Sequence, residues 1–135
     1  MEPIKALFER DAFARHLGIE LLEVGAGRAR VRMALRPEHL NTLGGVHGGA
    51  IFGLADCAFG AASNSHGTLA LAINVSISFL RPVEGEALYA EAVELSRSRR
   101  LGSYLVRVTQ EDKELVAVFQ GMAYRREEPL PTPAA

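Results

Sequence analysis

The most regular hydrophobic pattern in the chain lies near its centre, over residues 46–63. Apolar residues recur there every three or four positions, which is the period of a helix with one buried face. The positions of this stripe are Ile51, Leu54, Ala55, Ala58, Phe59 and Ala62. The pattern predicts one long helix over residues 46–63.

A weaker helical pattern covers residues 3–17. Its apolar positions, which include Ile4 and Leu7, lie on or near one face of a helix. Pro3 suits the first turn of a helix, and Gly18 is typical of the position just after the last turn. We therefore expect a single amphipathic helix here.

Six segments have the hydrophobic content or the alternation that is typical of strands. They are residues 19–24, 28–35, 69–80, 87–96, 101–110 and 115–124. Consecutive strands that are joined by short loops form antiparallel sheets. The sequence therefore predicts an α+β protein that consists of a β-hairpin, the long helix, and a four-strand meander wrapped around that helix.

One domain is expected over residues 1–126, followed by a disordered or extended tail over residues 127–135. The tail contains three prolines and few apolar residues.

Within the domain, arginines alternate with apolar residues along the second strand, which predicts one solvent-exposed face and one packed face. The alternating positions are Arg28, Arg30 and Arg32 against Ala29, Val31 and Met33.

Composition is that of an ordinary globular domain. The chain has 135 residues, of which 48% are hydrophobic and 23% are charged, and its net charge is −1. A protein that binds nucleic acid would usually show a basic excess. No apolar run is long enough for a membrane span, and the N-terminus does not have the pattern of a signal peptide. With a single cysteine, Cys57, these features lead us to expect a cytoplasmic protein.

The central segment carries very few charges. Between Pro37 and Leu80 there is no Lys or Arg, and the only acidic residues are Glu38 and Asp56. A carboxylate on an apolar helix is costly to bury without a partner, so Asp56 is either hydrogen-bonded by another part of the fold or kept for chemistry. The glycine-rich residues 44–49 lead into the helix, whose first amides are free to bind a negative oxygen.

One helix cannot direct both of these features at the same atom. His47 and Asp56 are nine residues apart, which places them ~180° apart around a helix axis and ~13 Å apart along it. If both serve one site, the second must come from another copy of the chain. The simplest arrangement is a two-fold dimer with two composite sites.

Several short motifs follow one another in a fixed order along the chain. They are His39-x-Asn41, Gly44, His47-Gly48-Gly49, Leu54-Ala55-Asp56 and Phe79-Leu80-Arg81-Pro82. This ordered set resembles the PaaI branch of the hotdog-fold acyl-CoA thioesterases, and the resemblance covers nearly the whole chain, from about residue 13 to residue 124.

The resemblance implies a hotdog fold and the hydrolysis of phenylacetyl-CoA or related aryl and medium-chain acyl-CoA thioesters. Asp56 would act either as the general base on water or as the nucleophile. The Gly48 N–H would polarise the thioester carbonyl, and the absence of a Cβ at Gly48 and Gly49 would let that carbonyl approach closely. Asn41 would lie near the thioester or the water, and His47 would support the carbonyl-binding loop.

The resemblance also implies how the rest of the substrate is bound. Coenzyme A is part of the substrate, and no metal or redox cofactor is expected. The phosphates of coenzyme A need positively charged partners, and we assign Arg81, Arg99 and Arg100 to these phosphates. A homodimer with shared active sites is expected, and it would assemble further to a homotetramer.

Other interpretations remain open at this point. Asp56 could be a structural residue that is hydrogen-bonded to loop amides and holds a dimer together. The chain could also be a hotdog dehydratase, or an acyl-CoA-binding regulator without turnover. Phosphate loops, zinc-protease motifs and serine-hydrolase elbows are absent from the sequence. Cys57 points roughly 100° away from Asp56 on a helix, which favours a core position.

Overall fold

The computed structural model describes residues 1–131, in which one long helix packs on a six-stranded antiparallel sheet. A short 3₁₀ turn, Pro37–His39, lies between the first strand pair and the long helix. The elements in chain order are α1 Glu2–Phe8, α2 Ala12–Leu17, β1 Ile19–Gly25, β2 Arg28–Ala34, α3 Gly48–Ser63, β3 Thr68–Phe79, β4 Ala87–Arg97, β5 Leu101–Gln110 and β6 Leu115–Pro129.

The sheet surrounds α3 as expected, but the order of its strands corrects one prediction. The order is β1-β2-β4-β5-β6-β3, so β3 pairs with β6 at the far edge rather than with β4. The predicted four-strand meander is therefore wrong, and only β4, β5 and β6 form one. After β2 the chain crosses the sheet through α3, which leaves the second edge of β2 free to pair with β4.

The N-terminal helix is two helices rather than one. α1 ends at Phe8, and Asp11 begins a second helix, because its carboxylate accepts a hydrogen bond from the Ala14 N–H at 2.9 Å and so caps α2. Gly18 ends α2 with a φ of 75°, as the sequence predicts. Among residues 1–131, no helix is long and apolar enough to cross a membrane.

The last strand extends further than the sequence pattern predicts. It continues beyond Tyr124 to Pro129, which pairs with Thr68 at the start of β3. Glu127, in the predicted tail, forms an ion pair with Arg99. The first residues of that tail are thus extended and paired, while residues 132–135 lie outside the described part of the chain.

An aromatic cluster fixes α3 on the sheet. The ring of Phe59 lies 5.6 Å from the ring of Tyr104 on β5 and 5.6 Å from that of Phe119 on β6. Phe52, two turns earlier, also packs on Phe119, with ring centroids 5.5 Å apart. A Cβ at Gly121 would lie 2.7 Å from the Phe59 ring, so the absence of a side chain there lets the helix approach β6.

Replacing Gly121 by Ala is expected to lower the free energy of unfolding by about 1–3 kcal/mol, because the new methyl group overlaps the ring of Phe59. The control is Gly60→Ala, where no other group lies within 4 Å of the added carbon. This control should raise the free energy of unfolding by up to about 1 kcal/mol, because Ala is the better helix former. Urea unfolding measures both, and equal effects would show that Phe59 moves aside freely.

Candidate active site

The loop before α3 is anchored by a buried histidine. His39 accepts a hydrogen bond from the Arg36 N–H at its Nδ1 (3.0 Å), and its Nε2–H donates to the carbonyl of Leu17 (2.8 Å). The carbonyl of His39 in turn accepts from the His47 N–H at 2.7 Å. His39 belongs to the motif, but its hydrogen bonds are structural. They link the loop to α2 and fix where α3 begins.

Asn41 closes the glycine-rich turn. Its Oδ1 accepts hydrogen bonds from the Leu43 N–H at 2.9 Å and the Gly45 N–H at 3.1 Å. Its own backbone N–H donates to the Gly45 carbonyl at 2.8 Å. The carbonyl oxygen of the side chain is thus committed to the loop, and only its amide group can reach a substrate.

His47 caps α3 and decides which amides at the helix start can bind a ligand. Its Nδ1 accepts from the Gly49 N–H at 2.8 Å, and its carbonyl accepts from the Ala50 and Ile51 N–H groups. The Gly48 N–H has no intrahelical acceptor, because it belongs to the first turn. Gly48 is therefore the amide at this helix start that can donate to a substrate oxygen, and the helix dipole favours negative charge there.

An exposed aromatic ring borders this amide. A Cβ at Gly48 would lie 3.2 Å from the ring of Phe79, the last residue of β3, and Phe79 is 53% exposed. The ring shields one side of the helix start from water. The sequence motif contains Phe79, but nothing in its spacing indicates that the ring meets Gly48, because they lie on different elements.

Asp56 lies in the middle of α3, where its side chain borders a groove between α3 and the N-terminal helices. It takes part in none of the ion pairs found among residues 1–131. Loss of water around the carboxylate raises the pKa of Asp56, and repulsion from the carboxylate of Asp11 raises it further. Asp11 is a neighbour that the sequence did not reveal.

The helix separates the carboxylate from the amide. Gly48 and Asp56 belong to one continuous helix and are eight residues apart. They therefore lie ~12 Å apart along its axis, too far to contact the same carbonyl group. Within one chain, the structure does not bring these two predicted site residues together.

The three arginines assigned to coenzyme A are also separated. Arg81 follows β3 and is paired with Glu114, whereas Arg99 and Arg100 lie in the β4–β5 turn at the other end of the sheet. Arg99 is paired with a carboxylate of β6, and Arg100 donates to the hydroxyl of Tyr124 at 3.1 Å. Their assignment to the phosphates stays a prediction.

Cys57 follows Asp56 but is not placed for nucleophilic attack. Burial raises the pKa of the Cys57 thiol to about 12, and the carboxylates of Asp11 and Asp56 add to this shift. The side chain is partly buried and packs against the hydrophobic core, as its helical position predicts. Among residues 1–131, no three His, Cys, Asp or Glu side chains are grouped as metal ligands.

Comparison with known proteins gives one consistent family. Residues 43–117 match the model of the thioesterase superfamily. A relative from Archaeoglobus fulgidus is 43% identical over 126 residues, which are 93% of this chain and 82% of that protein. The acyl-coenzyme A thioesterase PaaI of Escherichia coli is 37% identical over 121 residues, covering 89% of this chain and 86% of PaaI.

Solved structures agree with this comparison. The structure of Escherichia coli PaaI, from the phenylacetic acid degradation operon, superposes with a TM-score of 0.92 at 34% identity and covers 96% of this chain and 95% of PaaI. A variant of the phenylacetic acid degradation protein PaaI from Thermus thermophilus superposes with a TM-score of 0.82 at 38% identity. It covers 86% of this chain and 100% of that protein.

The repulsion between Asp11 and Asp56 leads to a prediction about ionisation. Replacing Asp11 by Asn should lower the pKa of Asp56, because a negative charge that opposes ionisation is removed. Asn is also a good N-cap, so α2 should remain folded. Carboxyl NMR titration of Asp56 measures the change, and Glu9→Gln is the control for charge alone. An unchanged pKa in the Asp11 variant would show that the two carboxylates do not interact.

Proposed function

Since the chain belongs to the thioesterase superfamily and is a PaaI-type thioester hydrolase with the hotdog fold, we propose that it hydrolyses phenylacetyl-CoA or related aryl and medium-chain acyl-CoA thioesters. The observation that carries this proposal is the carboxylate of Asp56 on the central helix, which forms no ion pair among residues 1–131. A protein that only bound the thioester would have no need of a carboxylate here, whereas hydrolysis needs a group that activates water or attacks the carbonyl.

In this proposal the Gly48 N–H donates to the thioester carbonyl and then to the oxyanion of the tetrahedral intermediate. Removing one such donor typically raises the barrier by about 2.7–4 kcal/mol. Phe79 beside this amide excludes water and so strengthens the hydrogen bond. His47 holds the adjacent Gly49 amide, which keeps the turn open for the carbonyl.

Asp56 acts on the other side of the same carbonyl carbon, as general base or as nucleophile. As a base it accepts a proton from water while the water oxygen bonds to the carbonyl carbon; the carbon–sulfur bond then breaks and the thiolate of coenzyme A takes the proton. Its raised pKa makes the ionised carboxylate a better proton acceptor. The amide group of Asn41 is proposed to orient the substrate or the water.

If Gly48 and Asp56 act on one carbonyl group, the distance between them means that one of the two comes from a second copy of the chain. The edge strand β3 has only one neighbour in the sheet, and it exposes the apolar side chains of Leu71 (46%) and Ile73 (56%). A free strand edge of this kind readily pairs with another strand. We propose that two β3 strands pair antiparallel about a two-fold axis, so that the helices run side by side and each helix start approaches the partner's Asp56.

The same dimer would unite the proposed binding residues for coenzyme A. In an antiparallel pair of edge strands, the Arg81 end of one chain lies near the opposite end of the other, where Arg99 and Arg100 are found. Further assembly to a homotetramer is proposed through the outward face of the sheet. That face exposes the apolar side chains of Val93, Leu95, Leu101, Met122 and Tyr124.

Asp56→Asn should lower turnover of an acyl-CoA about 10²–10⁴-fold, the usual contribution of a general acid–base group. Release of free thiol measures this turnover, and thermal unfolding should show a stability at neutral pH no lower than that of the wild type, because an unfavourable charge is removed. The control is Asp112→Asn in the β5–β6 turn. A folded Asp56 variant with near-normal turnover would move catalysis to another residue.

Two inactive proteins should restore each other's activity if the site is shared. Asp56→Asn leaves the amide of Gly48 intact, and Gly48→Val disturbs that amide but leaves the carboxylate. After subunit exchange, about half of the dimers are mixed and each contains one intact site, so about a quarter of wild-type activity should return.

The control for this experiment reverses the expectation. Wild type mixed with the double variant Gly48→Val/Asp56→Asn forms heterodimers in which a shared site is always incomplete. A site within one chain would leave half of each such heterodimer active. Confirmed heterodimers that are inactive in the first mixture and active in the second would contradict the shared site.

A further inference from the structure

The last turn of α2 is hydrogen-bonded to the segment that leads into the glycine-rich turn. A helix leaves its final carbonyl groups without partners of its own. The carbonyl of His16 accepts a hydrogen bond from the guanidinium group of Arg36. The carbonyl of Leu17 accepts from the Nε2–H of His39 at 2.8 Å. Gly18 has a φ of 75°, and a Cβ there would lie 3.3 Å from the guanidinium carbon, so its missing side chain lets Arg36 come close to α2. We call these two hydrogen bonds the loop–α2 contact.

The partners of His39 fix the state of its ring. A backbone carbonyl can only accept, so the carbonyl of Leu17 requires a proton on Nε2. A backbone N–H can only donate, so the Arg36 N–H, at 3.0 Å, requires an Nδ1 without a proton. The ring is therefore neutral, and it is only 1% exposed. Because both nitrogens are bonded within the protein, His39 acts by position rather than by contact with a substrate.

A short path of hydrogen bonds leads from this ring to the amide at the start of α3. The carbonyl of His39 accepts from the His47 N–H at 2.7 Å, and the next residue, Leu40, forms an antiparallel bridge with Val46. His47 directly precedes Gly48, so this pairing determines where the Gly48 N–H lies. An oxyanion donor is effective only at about 2.7–3.1 Å from the oxygen, and a misplacement of about 1 Å can lower the rate about 10²-fold.

Leu17 also fixes the position of α3 itself. A Cβ at Gly53 would lie 2.9 Å from the side chain of Leu17, so α2 packs closely on α3 at this point. Gly53 follows Gly48 by five residues, ~7.5 Å along the helix axis. The side chain of Leu17 thus contacts α3, while its carbonyl binds the loop that precedes α3. Through this one residue, α2 sets the loop and the helix relative to each other.

We propose that His39 is a positioning residue for thioester hydrolysis, which holds the Gly48 amide in place through the loop–α2 contact, and that Arg36 is the second residue of this contact. The inference rests on the proposed role of the Gly48 amide and adds to it two side chains that do not touch the substrate. It also gives α2 a function in catalysis, because its carbonyl groups are the fixed points to which the loop is bound.

Two replacements of His39 separate its two hydrogen bonds. The side chain of His39→Asn ends near the place of Nδ1, so it can accept from Arg36 but does not reach Leu17. The longer side chain of His39→Gln reaches the place of Nε2 and can donate to Leu17. Asn should lower kcat for phenylacetyl-CoA about 10–100-fold with less than about a threefold change in KM, because the oxyanion donor acts mainly in the transition state. Gln should retain most of the wild-type kcat.

His66→Asn is the matched control for the loss of a buried histidine. His66 lies beyond the opposite end of α3 from Gly48, its side chain is 13% exposed, and its Nε2 is 2.6 Å from the carboxylate of Glu94. The control should lower the melting temperature as His39→Asn does, but it should change kcat less than about twofold because the donor is not moved. If both variants are folded and have the same kcat, His39 contributes to stability alone and the proposal is wrong.

Arg36→Met tests the contact without changing the buried ring. Met keeps an apolar stem and the backbone N–H that bonds to His39, but it cannot donate to α2. We expect kcat to fall about three- to tenfold, and the effects of Arg36→Met and His39→Asn to be less than additive, because both loosen one contact. Glu38→Gln controls for the loss of the ion pair between Arg36 and Glu38 and should leave kcat unchanged. An unchanged kcat in folded Arg36→Met, or full additivity, would contradict the shared contact.

Amide hydrogen exchange separates this inference from the proposed function. His39→Asn should speed exchange of the His47 and Gly49 N–H groups about tenfold or more relative to amides of β5, whereas His66→Asn should not. If exchange responds in this way but the wild type hydrolyses no acyl-CoA, the link from His39 to the helix start is confirmed and the proposed function fails. If the wild type hydrolyses acyl-CoAs while His39→Asn leaves kcat or this exchange unchanged, the inference fails alone.

Discussion

The geometry of α3 is the constraint from which most of the proposed chemistry follows. A helix offers free N–H groups only in its first turn, and the side chain that can attack a bound carbonyl lies more than two turns further on. The distance between Gly48 and Asp56 cannot be shortened without breaking the helix. In the proposed mechanism a second chain is therefore the simplest source of the other half of each site, and the proposal places it on the exposed strand β3.

Contacts elsewhere in the fold stabilise α3, although this helix carries the unfavourable charge of Asp56. Asp56 has no ion-pair partner among residues 1–131, and its raised pKa shows that its ionised form is destabilised. The aromatic contacts of Phe59 with β5 and β6 lie directly beneath the helix and stabilise its packing on the sheet. Because this acid has a pKa above its value in the unfolded chain, its unfavourable contribution grows as the pH rises and disappears once the group is protonated.

Local patterns predicted much of this structure. The period of the central apolar stripe located α3 to within two residues of its start, and alternation along β2 identified Val31 as part of its packed face. The pairing of strands across the sheet was not predictable in the same way. The position of β3 beside β6 depends on which edge of the sheet the chain reaches after α3. The contact of Phe79 with Gly48 and the proximity of Asp11 to Asp56 are likewise tertiary, so no spacing in the sequence encodes them.

The break between the N-terminal helices has a structural consequence that the sequence pattern did not suggest. A single straight helix over residues 3–17 would present one face to the body of the protein. The N-cap at Asp11 instead lets α2 pack on Gly53 while α1 forms the outer wall of the groove. The same carboxylate that caps α2 also raises the pKa of Asp56, so one residue holds a helix start in place and acts on the acid beside the groove. The capping of α2 and the ionisation of Asp56 are therefore coupled through a residue outside the motif that carries the family resemblance.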